Sequence, residues 1–148
     1  MNHTKNMKKL EDIINIEMKK NKKSLIKKER KIIKKEWNNI LFNCLFAFLA
    51  LLITILFFRN PILATILLSL TSLLGLIKWK SKLTLVIFLF GGLWGPICEM
   101  IAIKYGVWEY AKTGFFNIPL WLFILWGMAA AFLYETAKEI NKLGIKDK

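Results

Sequence analysis

Beyond residue 39 the chain is organised as four apolar runs separated by short polar segments. Ile40–Phe58 ends at Arg59-Asn60-Pro61, a turn signal, and Ile62–Ile77 ends at the basic segment Lys78-Trp79-Lys80-Ser81-Lys82. Leu83–Ile103 contains glycines, Pro96 and one acid, and Leu120–Tyr134 follows Pro119, a residue suited to the first turn of a helix. A membrane-crossing helix takes roughly 20 apolar residues. With their flanks, the runs predict spans at about 40–58, 62–78, 83–103 and 119–135, leaving 136–148 as a tail. The expected fold is an all-α polytopic membrane protein with four transmembrane helices.

Residues 1–39 follow another pattern. Leu10, Ile14, Met18, Leu25, Ile26, Ile32, Ile33 and Trp37 gather on one face at about 100° per residue, with lysines around the rest. This predicts a basic amphipathic helix, read as a lysine-rich topology anchor, as a helix drawn to anionic lipid headgroups, or as a partner helix. Nucleic acid is not expected as a partner, because no nucleic-acid fold or interleaved aromatic platform accompanies the charge.

Composition confirms the class. Of 148 residues, 55% are apolar and 22% charged, and mean hydropathy is +0.42. A soluble domain of this length could not hide so much hydrocarbon, so an ordinary cytosolic enzyme is excluded. The net charge is +13, and residues 1–39 hold 13 of the 23 Lys and Arg. With the N-terminus inside, 20 basic residues fall on cytoplasmic segments and only Arg59, Lys104 and Lys112 on outer loops. The positive-inside rule therefore puts both termini of a multi-pass cell-membrane protein in the cytoplasm.

Little points to a cofactor. Cys44 and Cys98 lie at different depths, roughly 15 Å apart at about 1.5 Å per residue, too far for a disulfide. His3 and two separated cysteines make no metal site, and no cofactor is expected. The first apolar run begins too late for a cleavable signal peptide.

Glu99 is the sharpest residue. Counted from Leu83 it lies about 24 Å across the layer, where a carboxyl faces protein or a watery cavity and not lipid. Gly92, Gly95, Glu99, Ala102 and Gly106 recur at spacings of 3 and 4, and Gly91 with Gly95 makes a GxxxG. Such a stripe of small residues is where another helix packs, within the chain or in a homodimer. Pro96 should free the Gly92 carbonyl one to two turns from Glu99 and kink the helix. A carboxylic acid held away from water favours its neutral form, able to donate a proton or a hydrogen bond.

Aromatic residues collar this acid. Tyr105 and Trp121 suit an interfacial belt, whereas Trp94 and Trp126 lie deeper and are candidates for lining a pocket. The loop Lys104-Tyr105-Gly106-Val107-Trp108-Glu109-Tyr110 is too aromatic for a mere connector and could close over the pocket, with Gly106 ending the third helix. Asn117 is placed to cap the fourth helix. Glu135 with Lys138 and Glu139 with Lys142 read as i,i+3 pairs on a solvated surface.

Taken together, Glu99, Tyr105-Gly106-Val107-Trp108-Glu109-Tyr110, Asn117-Ile118-Pro119-Leu120-Trp121 and Trp126 resemble the pattern of carotenoid-biosynthesis integral membrane proteins. These include the bacterioruberin-type hydratases that add water to polyene ends. The resemblance covers about residues 91–127. It implies an apolar isoprenoid ligand, Glu99 as general acid, and Trp94, Trp126 and Trp108 stabilising a developing carbocation. Three readings stay open: a protein binding or acting on an isoprenoid or lipid, a small proton-coupled transporter, and an assembly protein in which Glu99 is structural.

Overall fold

The computed structural model describes residues 2–111, 114 and 117–143, with side chains from residue 17 onward apart from residue 29. The described residues form four helices and no strand: α1 (Asn2–Phe57), α2 (Pro61–Trp79), α3 (Lys82–Lys104) and α4 (Trp121–Lys142). Three stretches are long and apolar enough to cross a membrane, Glu17–Phe57, Pro61–Trp79 and Lys82–Lys104. Helix α4 is not among them, because Glu135, Lys138, Glu139 and Lys142 dilute its C-terminal half.

The chain divides into two compact units, 1–38 and 39–148. In the first, the helix exposes Met18, Leu25, Ile32, Ile33 and Trp37 together with the lysines from Lys19 to Lys35. The second unit contains the remainder of α1 and the other three helices.

The connections of the second unit follow from local chemistry. Asn60 caps α2, its side chain accepting the Leu63 N–H at 3.2 Å, and Pro61 occupies the first turn, where no amide hydrogen is needed. Lys80 takes the left-handed conformation that stops α2, and Ser81 then caps α3 by accepting the Thr84 N–H at 3.2 Å. Helix α3 runs uninterrupted past Pro96. It ends in a Schellman motif: Gly106, at φ 72°, donates to Ile103 O at 2.9 Å, and Val107 to Ala102 O at 3.0 Å. Gly106 was expected in the packing stripe, but a Cβ there would meet nothing within 4 Å. Its glycine serves the positive φ alone.

Asn117 does not cap α4. It sits at φ 61° in the preceding turn, and the cap position belongs to Leu120, which makes no side-chain capping bond. The first turn is closed instead by Leu122 N–H donating to Pro119 O at 3.1 Å. Pro119 and Ile118 are fully buried, so packing fixes the entry of α4 more than a polar cap does.

Helices α3 and α4 approach through glycine, as the stripe predicts. A Cβ on Gly92 would fall 2.9 Å from the Phe123 carbonyl oxygen, and one on Gly127 would fall 2.8 Å from that of Phe88. On Gly91 it would collide with the Ala130 methyl, and on Gly95 with the Trp126 ring. The two backbones are in van der Waals contact, and dispersion at such distance is the main attraction available in lipid. The partner of the stripe is therefore α4 of the same chain.

Phe46, Ala50, Ala64, Leu68, Trp121 and Met128 are core residues of this unit. Phe48, Leu56, Leu74, Phe90 and Leu93 point outward, each more than half exposed. A water-facing protein does not present so continuous an apolar exterior. With three helices long and apolar enough to cross a bilayer, this exterior is suited to lipid and suggests a membrane protein.

Candidate functional site

Two clusters of side-chain hydrogen bonds between different segments stand out in this helical unit. At the end holding the α3–α4 loop, Glu99 is the centre. It lies on α3 one turn beyond Gly95, the position over which the Trp126 ring lies. Its Oε2 accepts the indole N–H of Trp108 at 2.9 Å and the phenol of Tyr110 at 3.1 Å. The Schellman turn at Gly106 reverses the chain so that both loop residues return to the carboxyl one to two turns back. An indole nitrogen can only donate, so Oε2 is used as an acceptor. Oε1 has no hydrogen-bond partner among the described residues.

Tyr110 is the loop residue most changed by its surroundings. Burial first, then the charge of Glu99 and the hydrogen bond to it, push its phenol up to about 12. It stays protonated and donating throughout the physiological range. Its ring meets Trp121 edge-on, with centroids 6.1 Å apart and planes at 87°.

Below these groups lies a cleft of about 280 Å³ lined by Glu99, Tyr110, Trp121, Leu122, Leu125, Trp126 and Ala129. Leu122, Leu125, Trp126 and Ala129 form an i, i+3, i+4, i+7 stripe on α4, so the floor is an apolar channel along one helix face. A second cleft of about 340 Å³ shares Tyr110 and Trp121 and is closed by Thr54 and Ile55 of α1 and by Phe58 just after it. A third, of about 120 Å³, continues from Leu125 and Ala129 toward Phe132. Trp121 is 5% exposed, and its indole N–H has no hydrogen-bond partner among the described residues.

Of the residues singled out from the sequence, Glu99, Tyr110, Trp121 and Trp126 line one cleft, and Trp108 joins them through its bond to Glu99. Trp94 stands apart: it is 53% exposed, packs on the Phe90 ring and does not line this cleft. Pro96 is buried in α3, and Ala102 serves through its carbonyl in the Schellman turn. Cys44 and Cys98 are both free and exposed. No group of His, Cys, Asp and Glu able to hold a metal occurs among the described residues.

The opposite end of the unit holds a network that the sequence reading missed. Asn43, 1% exposed in α1, accepts from the Trp79 indole at 3.0 Å and donates to Thr136 at 3.3 Å. Thr84 donates to Glu135, whose carboxyl also takes Lys138 at 3.1 Å. Glu139 pairs with Lys142 at 2.8 Å. The i,i+3 pairs form as expected, but not on a solvated surface, since Glu135 and Glu139 are 2% and 5% exposed. The signal was present in the sequence: Met128, Ala131, Glu135 and Glu139 continue one buried face of α4 at spacings of 3, 4 and 4. Asn43 likewise stands out as an amide in a Leu/Phe run, where a polar group seeks a neighbouring helix.

No protein-family model, no curated protein and no solved structure matches this chain.

Proposed function

We propose that this protein crosses the membrane four times, keeps both termini in the cytoplasm, and binds an apolar lipid- or isoprenoid-type molecule in the cleft beside Glu99. The observation that carries the reading is the Glu99 carboxyl, tied to Trp108 and Tyr110 at the mouth of a channel otherwise lined by Leu122, Leu125, Trp126 and Ala129. A largely apolar recess with a few convergent polar groups is the usual form of a small-molecule site. Both neighbours use Glu99 as an acceptor, which suits an orienting group.

Helix α4 serves as the fourth span in this reading. Its apolar part, residues 121–134, packs along α3, and its two buried acids pair with Lys138 and Lys142, which reach toward water. The excess of lysine at that end supports a cytoplasmic location. It follows that the Glu99 cleft opens at the outer leaflet. The exposed apolar and basic side chains of residues 17–38 suit an amphipathic helix that engages anionic headgroups of the inner leaflet.

The test is mass spectrometry of apolar molecules that co-purify with the full chain in mild detergent. The wild type is expected to retain a discrete lipid or isoprenoid that Trp126→Ala and Glu99→Gln lose or exchange. Identical bulk-lipid profiles in all three would overturn the reading.

A further inference from the structure

We propose that Ser24 is a phosphorylation site and that its modification releases the basic helix from the membrane surface. The inference rests on the reading of residues 17–38 as a headgroup-binding helix and names its regulation. Ten Lys and Arg stand against three Glu in this stretch, a net charge of +7, and Ser24 is its single hydroxyl-bearing residue. Lysine pairs flank it on both sides, Lys19-Lys20 and Lys22-Lys23 before it and Lys27-Lys28 after it. An enzyme with an acidic substrate groove selects a serine by such flanking charge. The modifying enzyme is therefore of the basophilic serine/threonine protein kinase class, with a nucleoside triphosphate as donor. The Ser24 oxygen bonds to the γ-phosphorus, and the bond from that phosphorus to the bridging oxygen of the leaving diphosphate breaks. The hydroxyl proton passes to the base of the kinase.

The fold leaves this serine open to the reaction. Its Oγ donates to the Asn21 carbonyl oxygen of its own helix at 2.8 Å, in an exposed hydrogen bond. Every described side chain from 17 to 35 is exposed, so this stretch is held chiefly by its own backbone hydrogen bonds. Unwinding one turn of it into an enzyme costs little. At 100° per residue, Ser24 falls about 150° from the centre of the stripe formed by Met18, Leu25, Ile26, Ile32, Ile33 and Trp37. A helix resting on lipid by that stripe still presents Ser24 to water.

Charge makes the phosphate a switch. It carries about −1.5 to −2 at pH 7. On a helix it shares a face with Lys20, Lys27 and Lys28, at i−4, i+3 and i+4, all of them exposed. Those lysines then pair within the helix instead of with headgroups. Each basic residue near an anionic surface strengthens binding about fivefold, so cancelling about two charges lowers the ratio of docked to free helix about tenfold or more.

The experiment uses the full-length chain in lipid nanodiscs, with Cys44 and Cys98 replaced by alanine and an environment-sensitive fluorophore on Ile32→Cys in the apolar stripe. Emission is expected to be blue-shifted in discs containing phosphatidylglycerol relative to discs of phosphatidylcholine alone. Treatment with a basophilic kinase and ATP is expected to place a phosphate on Ser24, read by mass spectrometry of the peptides. Phosphorylation should then lower the salt concentration at which half of the blue shift is lost. Ser24→Ala, treated alike, should keep the midpoint of the unmodified protein. No phosphate on Ser24, or an unchanged midpoint at full phosphorylation, would overturn the proposal while the headgroup reading survives. If the untreated chain emits alike in both kinds of disc, the headgroup reading of residues 17–38 falls, and the switch with it.

Discussion

The indole N–H of Trp79 donates to the side-chain carbonyl of Asn43 at 3.0 Å, and Asn43 passes the connection to Thr136 at 3.3 Å, so one buried amide joins α1, α2 and α4. Around it the Trp79 ring packs edge-on against Phe46, with centroids 4.9 Å apart. Asn43→Leu is expected to cost about 1–3 kcal/mol, because Trp79 and Thr136 lose a hydrogen-bond partner that is 1% exposed. Trp79→Phe in the Asn43→Leu background should add less than Trp79→Phe alone. Denaturation of the four proteins of this cycle in micelles measures the coupling.

Gly92 and Gly127 face the carbonyl oxygens of Phe123 and Phe88 at distances that leave no room for a methyl group. Gly92→Ala and Gly127→Ala are each expected to destabilise by about 1–3 kcal/mol, since backbone cannot step aside as a flexible side chain can. Gly106→Ala is the control. It has open space but a positive φ, so its effect is limited to about 1–2 kcal/mol of left-handed strain and to the loop it launches. Thermal unfolding of the three variants, with helix content followed, distinguishes the two mechanisms.

Tyr110 titrates at about 12, raised by burial first and by Glu99 second. The unfolded chain gives up this proton near 10, so between about 10 and 12 it binds fewer protons than the native protein. The contribution of Tyr110 is thus present below pH 10 and is lost as pH rises through 12. Glu99→Gln removes the charge but not the burial, so the phenol is expected to titrate lower yet still above 10. Absorbance of tyrosinate, with Tyr105 and Tyr134 replaced by Phe, reads the change directly.

Both connections at the ends of α2 can report topology. In a chain with Cys44 and Cys98 replaced by serine, Arg59→Cys is expected to react with a membrane-impermeant maleimide added to intact cells. Lys82→Cys should react only after permeabilisation. The reverse pattern would invert the proposed orientation and move the Glu99 cleft to the inner leaflet.

The turn before α2 and the end of α3 were legible because such signals are local: Asn60-Pro61 and Gly106 act within a few residues of themselves. The glycine stripe was legible as a packing face, but periodicity does not say which helix fills it. Asn117 misled because its residue type suits a cap, whereas the burial of Ile118 and Pro119 fixes the turn. At the site, Glu99 and the loop aromatics were readable from their rarity in an apolar run. Trp94 was not separable from Trp126 by depth alone, since it lies on the outward face of α3. Glu135 and Glu139 were misread because an i,i+3 acid–lysine pair looks the same on a solvated helix and on one whose acid faces inward.

The burial of Glu135 has a consequence for biogenesis. Its carboxyl is met by Thr84 in the first turn of α3 and by Lys138, and the glycines that seat α4 need the Phe88 and Phe123 backbones alongside. The first three helices each carry enough hydropathy to leave the insertion machinery on their own, whereas α4 does not. In the four-span arrangement proposed above, it enters the bilayer as a hairpin with α3, its acids already matched. A chain in which α3 is exchanged for an unrelated apolar span should translate and insert up to α3 yet leave the C-terminal segment outside the bilayer, open to protease.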